Sequence, residues 1–501
     1  MEFSSVIFIW AFLPLAIILY YCAFTISFSK EKRLQVLNGI LLFFSAVFYL
    51  WAGFRDFLVL LTMVLLNYGA GRWIDHFSSE NDAARKKRKT VFIAALVFNL
   101  LVLAFFKYFN MMISLAQILL KPRNSLIEYF YALAVFNGSR PDQMIRIVMP
   151  LAISFTTFQA ISYLADVYKG KISAEKSLFH FSLYNCLFVQ LVQGPIMRYQ
   201  DLGSQIKARD HSLYKFAEGI RRFCFGLGKK VLISNTLAVS CDKIWAKPVT
   251  ELYTSEAWLG LILYLFQIYY DFSGYTDMAI GVGQMFGFRI SENFNYPLTS
   301  ESIQDFWHRW HISLSTWFRD YLYIPLGGSR KGEFRTFLNI TIVFLATGLW
   351  HGANLTFLLW GLIVAIQNII ERAFLGSWIK KNPVRIINWL YFYLTLLLEV
   401  VLFRAPNLYH AVKYYGVLLR PIPERAGTSI LSYFSADFFI ALLAAIFCMG
   451  FVQRACASFW SRVRENTPVV IIRTLLAFVI FAWALMSLLN GSYNPSIYTN
   501  F

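Results

Sequence analysis

The apolar positions of this chain come in long unbroken runs, not in the stripes or alternations of a soluble fold. Stretches free of Asp, Glu, Lys and Arg cover residues 3–29, 34–54, 90–106, 147–165, 177–197 and 474–501. A helix needs about 20 apolar residues, range about 17–25, to cross hydrocarbon. Each of these six runs therefore predicts a crossing. Shorter runs at 57–71, 257–270, 438–453 and around Leu390 predict further crossings with snorkelling ends. The longest run, 336–370, is too long for one crossing and carries Gly348, His351, Gly352, Asn354 and Gly361 in its middle. It reads as two helices, or as one helix plus a re-entrant segment buried in protein or lining a wet cavity. The pattern predicts an all-α polytopic membrane protein of about 11 crossings. An outer-membrane barrel would instead alternate apolar and polar positions along each strand.

Composition sharpens this. Of 501 residues, 58% are hydrophobic and 15% charged, whereas soluble domains run at about 25% charged. The net charge of +18 would suggest nucleic acid in a soluble protein. Here the basic residues cluster in short loops at 30–33, 85–89, 221–222, 229–230 and 330–331, which is the positive-inside pattern. No nucleic-acid partner is expected; membrane lipid is. Loops 30–33 and 72–90 are placed in the cytoplasm and the N-terminus outside. The first run lacks a basic n-region and a cleavage site, so it predicts an uncleaved first crossing. Residues 1–501 read as one integral membrane domain in an inner (plasma) membrane. The six cysteines form no C-x-x-C pair and read as small buried hydrophobes.

Two segments carry candidate chemistry. In residues 302–323, Ile303, Phe306, Trp310, Leu314, Trp317 and Tyr321 recur at steps of three or four and predict one helix with an apolar face. His308 and His311 would sit one turn apart on it, but nothing at helical spacing completes a metal site, so no metal is assigned. The second segment is GLWHGAN at 348–354. A titratable group deep in hydrocarbon is costly and marks a functional site by default. Of the seven histidines, His351 alone is central in its run and flanked by glycine. Gly352 would allow an irregular backbone or close approach of a substrate.

QDFWHRWHISLSTWFRDYLYIPLGGSRK at 304–331, with LWHGAN at 349–354, resembles the membrane-bound O-acyltransferases (MBOAT). The similar branch is that of the alginate and peptidoglycan O-acetyltransferases. FQAISYLADVYKG (158–170), LVQGPIMRYQDL (191–202), YYDFSGYTDMAIGVG (269–283), ENFNYPLTS (292–300), FRAPN (403–407) and the terminal SYNPSIYTNF fit the same pattern in order. The resemblance implies a disc of about 11 transmembrane helices, with re-entrant or interfacial helices, around a central pore, and places the catalytic motifs in 302–370. It implies that His351 is essential at the pore centre and that His311 is the second polar position. Asn235 stands where relatives often carry Asp, and His308 where Arg is expected.

The implied reaction is O-acetyl transfer from a cytoplasmic thioester, acetyl-CoA, to a hydroxyl of an extracytoplasmic polysaccharide such as alginate, with no bound cofactor. A neutral imidazole near pH 7 suits removal of the hydroxyl proton, so His351 is the expected general base. His311 is expected to orient it, polarise the carbonyl or relay a proton. Arg330, Lys331 and Arg335 are candidates for the CoA phosphates, although topology anchoring explains them equally well. Asp271 and Asp277 either line the pore or form structural hydrogen bonds. The resemblance also implies an extracytoplasmic esterase-like partner that completes transfer to the polymer. The alternatives are peptidoglycan O-acetylation, D-alanyl transfer to teichoic acid, and a polysaccharide transporter. A transporter would be expected to show internal repeats and paired broken helices.

Overall fold

Every regular element in residues 1–77, 81–122, 125–138, 147–190, 193–423 and 430–495, the portion described by the computed structural model, is helical. Eight helices among these residues are long and apolar enough to span a bilayer: Phe8–Thr25, Lys30–Ala52, Phe54–His76, Asp82–Leu120, Leu355–Lys381, Arg385–Arg404, Ala436–Ala455 and Thr467–Leu489. Trp10, Leu101, Leu443 and Phe478 stand exposed on these spans, as lipid-facing side chains must. The extreme residues 496–501 of the terminal motif lie outside the described portion, as do 191–192. Cys224 and Cys241 are buried, but Cys22 and Cys456 are exposed on apolar surface.

The 177–197 run is not a crossing. Its helix, Leu178–Cys186, stops after nine residues and a short turn, Phe188–Gln190, follows. The segment is buried inside protein, and it carries Asn185, Gln190 and Gln193 inward. Freedom from charge thus reported burial there, not lipid. The 147–165 run yields Ile153–Tyr168, only 16 residues long, entered through left-handed Ala152. The 257–270 run lies within a much longer helix, Thr254–Met285.

The chain forms two compact units, residues 1–107, 148–227 and 275–292 in one and 108–147, 228–274 and 293–501 in the other. In the first, Phe3, Phe8, Phe12, Phe44, Phe48 and Phe188 make a continuous cluster of ring contacts, with centroids 4.6–6.3 Å apart. Asn67 and Asn99 exchange side-chain hydrogen bonds of 3.1 and 2.6 Å between two spans, the polar glue expected where lipid supplies no hydrophobic drive. Arg222 binds both Asp277 and Glu292, at 2.9 and 2.5 Å. Asp277 is therefore a structural partner.

In the second unit, buried Lys230 pairs with Asp271 and donates to the Pro495 carbonyl at 2.5 Å. Asp271 too is held by an ion pair. Asn235 Nδ2 donates to Asn494 Oδ1 at 2.9 Å, and Tyr493 Oη donates to Asp242 at 2.8 Å. Residues 493–495 are thus stitched to the 230–242 helical stretch. The long 336–370 run resolves as two helices, Glu333–His351 and Leu355–Ile370, turned by Asn354. Asn354 caps the second helix through Thr356 N and donates to the Pro406 carbonyl. The pair packs backbone to backbone: a Cβ on Gly348 would lie 2.3 Å from the Phe357 carbonyl oxygen, and one on Gly361 2.4 Å from that of Phe344.

Candidate active site

The 302–323 segment is not one helix. It forms Ile303–Arg309 and Ile312–Phe318, with a wider helical turn at Arg319–Tyr323. The break falls at His311, whose φ of 45° is left-handed. Periodicity did not reveal it because the cause lies outside the segment. The strip at 293–295 takes over the backbone hydrogen bonds: Ile312 N donates to the Asn293 carbonyl, and Asn295 N to that of Arg309. The apolar face survives the break, with Ile303, Phe306, Trp310, Leu314 and Trp317 all buried. His308 and His311 consequently do not share a helical face. His308 is exposed, its Nδ1 2.7 Å from the Gln304 carbonyl, and carries no assigned role.

Asn293 also fixes the state of His311. Its side-chain oxygen accepts from the Ser313 backbone N–H at 3.1 Å and from Ser313 Oγ at 2.9 Å, and lies 3.2 Å from His311 Nδ1. A backbone N–H can only donate, so the amide orientation is settled, and Nδ1 of His311 must carry the proton. Nε2 is then an acceptor. It is buried and has no hydrogen-bond partner among the described residues. Burial pushes the His311 pKa down, which keeps the ring neutral.

His351 is the last residue of its helix and is 4% exposed. Its ring lies against Trp360 at 5.2 Å, Phe403 at 5.1 Å and Trp350 at 4.9 Å between centroids. Gly352 is extended at φ −170°, a conformation open to any residue. Its smallness is what counts, because a Cβ there would lie 2.2 Å from the Phe357 ring.

His311 and His351 wall one cavity of about 340 Å³, together with His308, Trp307, Thr347, Arg319 and Arg372 among others. Trp307 Nε1, a donor only, is buried with no hydrogen-bond partner among the described residues. The helix carrying Trp307 is capped from the next span: Glu371 accepts from Ile303 N at 2.7 Å, from Gln304 N at 2.8 Å and from Tyr391 Oη at 3.1 Å. Arg330, Lys331 and Arg335 are exposed and do not line this cavity. Two arginines that sequence reasoning passed over, Arg319 and Arg372, do. Arg372 lies just past the apolar run, after Glu371, and Arg319 lies within the 302–323 segment beside Asp320; neither stands in a pattern that marks it out. Asn293 was also missed, since only its burial and its reach to residue 313 reveal it.

Residues 171–398 match the membrane-bound O-acyltransferase family. The chain is 40% identical to the "Probable alginate O-acetylase AlgI" of Pseudomonas putida, over 83% of this chain and 80% of the relative. It is 33% identical to the "Peptidoglycan O-acetyltransferase" of Helicobacter pylori, over 82% and 78%. It is 29% identical to the "Teichoic acid D-alanyltransferase" of Bacillus subtilis, over 46% and 60%. This multi-pass helical chain, with His308, His311 and His351 on one cavity wall, belongs to the membrane-bound O-acyltransferase family and is an enzyme of O-acyl transfer.

Proposed function

We propose that this protein is an inner-membrane O-acetyltransferase that takes acetyl groups from acetyl-CoA on the cytoplasmic side and delivers them for O-acetylation of an extracytoplasmic polysaccharide of the alginate type. The observation that carries this reading is the shared wall of His311 and His351 around one cavity. The names of the O-acetylase and O-acetyltransferase relatives support acetyl as the transferred group, and the 40% identity to the alginate O-acetylase against 33% to the peptidoglycan enzyme favours the acceptor.

In the proposed step His351 takes the proton of the acceptor hydroxyl, and the hydroxyl oxygen forms a bond to the thioester carbonyl carbon. The C–S bond breaks, and the CoA thiolate receives a proton in turn. Trp307 Nε1 supplies a donor to the carbonyl oxygen as charge develops there. His311, whose free Nε2 accepts but does not donate, relays the proton; a carbonyl-polarising role would need the opposite tautomer. Arg372 supplies positive charge in the cavity wall for the CoA phosphates, whereas the Arg319 guanidinium is engaged by Asp320 at 2.7 Å. Arg330, Lys331 and Arg335 serve as topology anchors or as a second phosphate contact. An extracytoplasmic esterase-like partner completes transfer to the polymer.

The test is reconstitution of the full chain in liposomes with labelled acetyl-CoA and an acceptor oligosaccharide. His351→Ala is expected to lower acetyl-dependent CoA release by about 10²–10⁴-fold, the range for general-base removal. Wild-type release by a folded His351→Ala protein would sink the mechanism. Solute movement without CoA release would favour a transporter.

A further inference from the structure

Glu399 is 2% exposed within the span Arg385–Arg404, five residues before its end. Its Oε1 has no hydrogen-bond partner among the described residues, while the carboxyl as a whole interacts with the Gln367 side chain. A carboxyl group at this depth is expensive, and where one is kept it usually serves a pathway or a site. It does not face lipid. It lines a second, small cavity of about 40 Å³ whose other walls include His351, Trp307, Trp310, Trp360 and Phe403. Room of that size holds about one or two waters, and a water there needs polar partners. Glu399 and His351 are the titratable carboxyl and imidazole of that wall; the rest, the phenol of Tyr264 and the indoles of Trp307, Trp310 and Trp360 aside, is hydrocarbon or ring carbon.

Helical spacing tightens the relation. Phe403, in ring contact with His351 at 5.1 Å, is four residues after Glu399, so the two share a helix face about 6 Å apart along the axis. His351, Trp307 and Trp310 wall both this cavity and the larger one that His311 shares. The imidazole therefore has the proposed reaction space on one wall and a buried carboxyl on another.

We propose that Glu399 is a positioning residue for His351, acting across the small cavity through bound water to hold the imidazole in its working tautomer and to favour its protonated form once the acceptor proton has arrived. This deepens the reading of His351 as general base and rests on it. A second-rank carboxyl behind a histidine base fixes ring orientation and stabilises imidazolium in the same way wherever the pair occurs.

The experiment is steady-state kinetics of CoA release from proteoliposomes for wild type, Glu399→Gln, Glu399→Asp, His351→Ala and the double variant Glu399→Gln/His351→Ala. Glu399→Gln keeps the shape but removes the charge, and is expected to lower kcat at least 10-fold with KM for acetyl-CoA within twofold. Glu399→Asp, a carboxyl held further back, is expected to recover part of that loss. On the residual rate of His351→Ala, adding Glu399→Gln is expected to change nothing; where that residual is at background, the split between kcat and KM decides. Wild-type kcat in Glu399→Gln beside an inactive His351→Ala overturns this inference alone. So does an equal further loss in the double variant, or failure of both Glu399 variants to accumulate as monodisperse protein, since each marks a role independent of His351. Wild-type activity in His351→Ala overturns the base assignment itself.

Discussion

The side-chain oxygen of Asn293 lies 3.2 Å from Nδ1 of His311, and in holding that proton in place it turns Nε2 toward acceptor chemistry. The same amide supports the left-handed turn on which His311 sits. A non-glycine residue in that conformation costs about 1–2 kcal/mol, least for Asn and Asp. His311→Asn is therefore expected to keep the backbone and the fold while removing Nε2. CoA release should fall about 10²-fold, the lower range for a lost proton-transfer group, with the size-exclusion profile and thermal midpoint unchanged. Loss of the fold together with activity would count against a chemical role for His311.

Asn293→Ala separates support from chemistry differently. It leaves Ser313 N without its acceptor in a buried site, a cost of about 1–3 kcal/mol. A lower thermal midpoint is expected along with lower activity, and Asn293→Asp, which keeps an acceptor oxygen, should recover the midpoint more than the rate.

The contact between Gly348 and Gly361 leaves no space for a methyl group: a Cβ on Gly348 would lie 2.3 Å from the Phe357 carbonyl oxygen and one on Gly361 2.4 Å from that of Phe344. Overpacking of this kind costs about 1–3 kcal/mol. Gly348→Ala and Gly361→Ala should each lower the thermal midpoint in detergent. Because His351 ends the helix that Gly348 belongs to, both should also lower CoA release; a variant with normal activity and normal midpoint would show that the helices part without consequence.

The run 336–370 was legible as a broken pair of helices because its glycines and Asn354 are local signals. His351 was legible because a titratable residue among apolar neighbours is conspicuous in one dimension. The break at His311 was not, since it is imposed by residues 293–295, and the apolar spacing of Ile303 to Trp317 runs through it undisturbed. The 177–197 run misled because a segment buried in protein and one facing lipid both lack charge. Arg319 and Arg372 were passed over for the converse reason: a charge carries the same letter whether it anchors topology or faces a cavity.

That ambiguity among the basic residues can be resolved by kinetics. Arg372→Gln is expected to raise KM for acetyl-CoA several-fold at nearly constant kcat, since it lines the cavity. Arg330→Gln, exposed beyond it, should change KM less. The reverse ranking would move the phosphate contact to the 330–335 segment.

A pH dependence follows from Glu175 in the first unit. Burial alone would raise its pKa, but Lys207 at 2.6 Å, Tyr199 and the Ser177 backbone N–H together bring it down from 4.5 to about 2. The stabilisation this represents is present in full above about pH 4.5 and is lost as pH falls toward 2. Wild type should therefore exceed Glu175→Gln in thermal midpoint at pH 7, and the gap should narrow between pH 4.5 and 3. A gap independent of pH would show that the carboxylate charge is not what stabilises this loop.

Lys230 and Asp271 belong to helices made midway through synthesis, yet Lys230 completes its coordination with the carbonyl of Pro495, 265 positions further on. Neighbouring Asn235 likewise waits for Asn494. During membrane insertion these buried polar groups remain partly unsatisfied until the span Thr467–Leu489 has threaded and the stretch after it has folded back. The tie at 493–495 therefore acts as a latch on assembly order, and a chain halted before it would leave the Lys230 ammonium, still paired with Asp271, one hydrogen bond short and the Asn235 amide unmet inside its core.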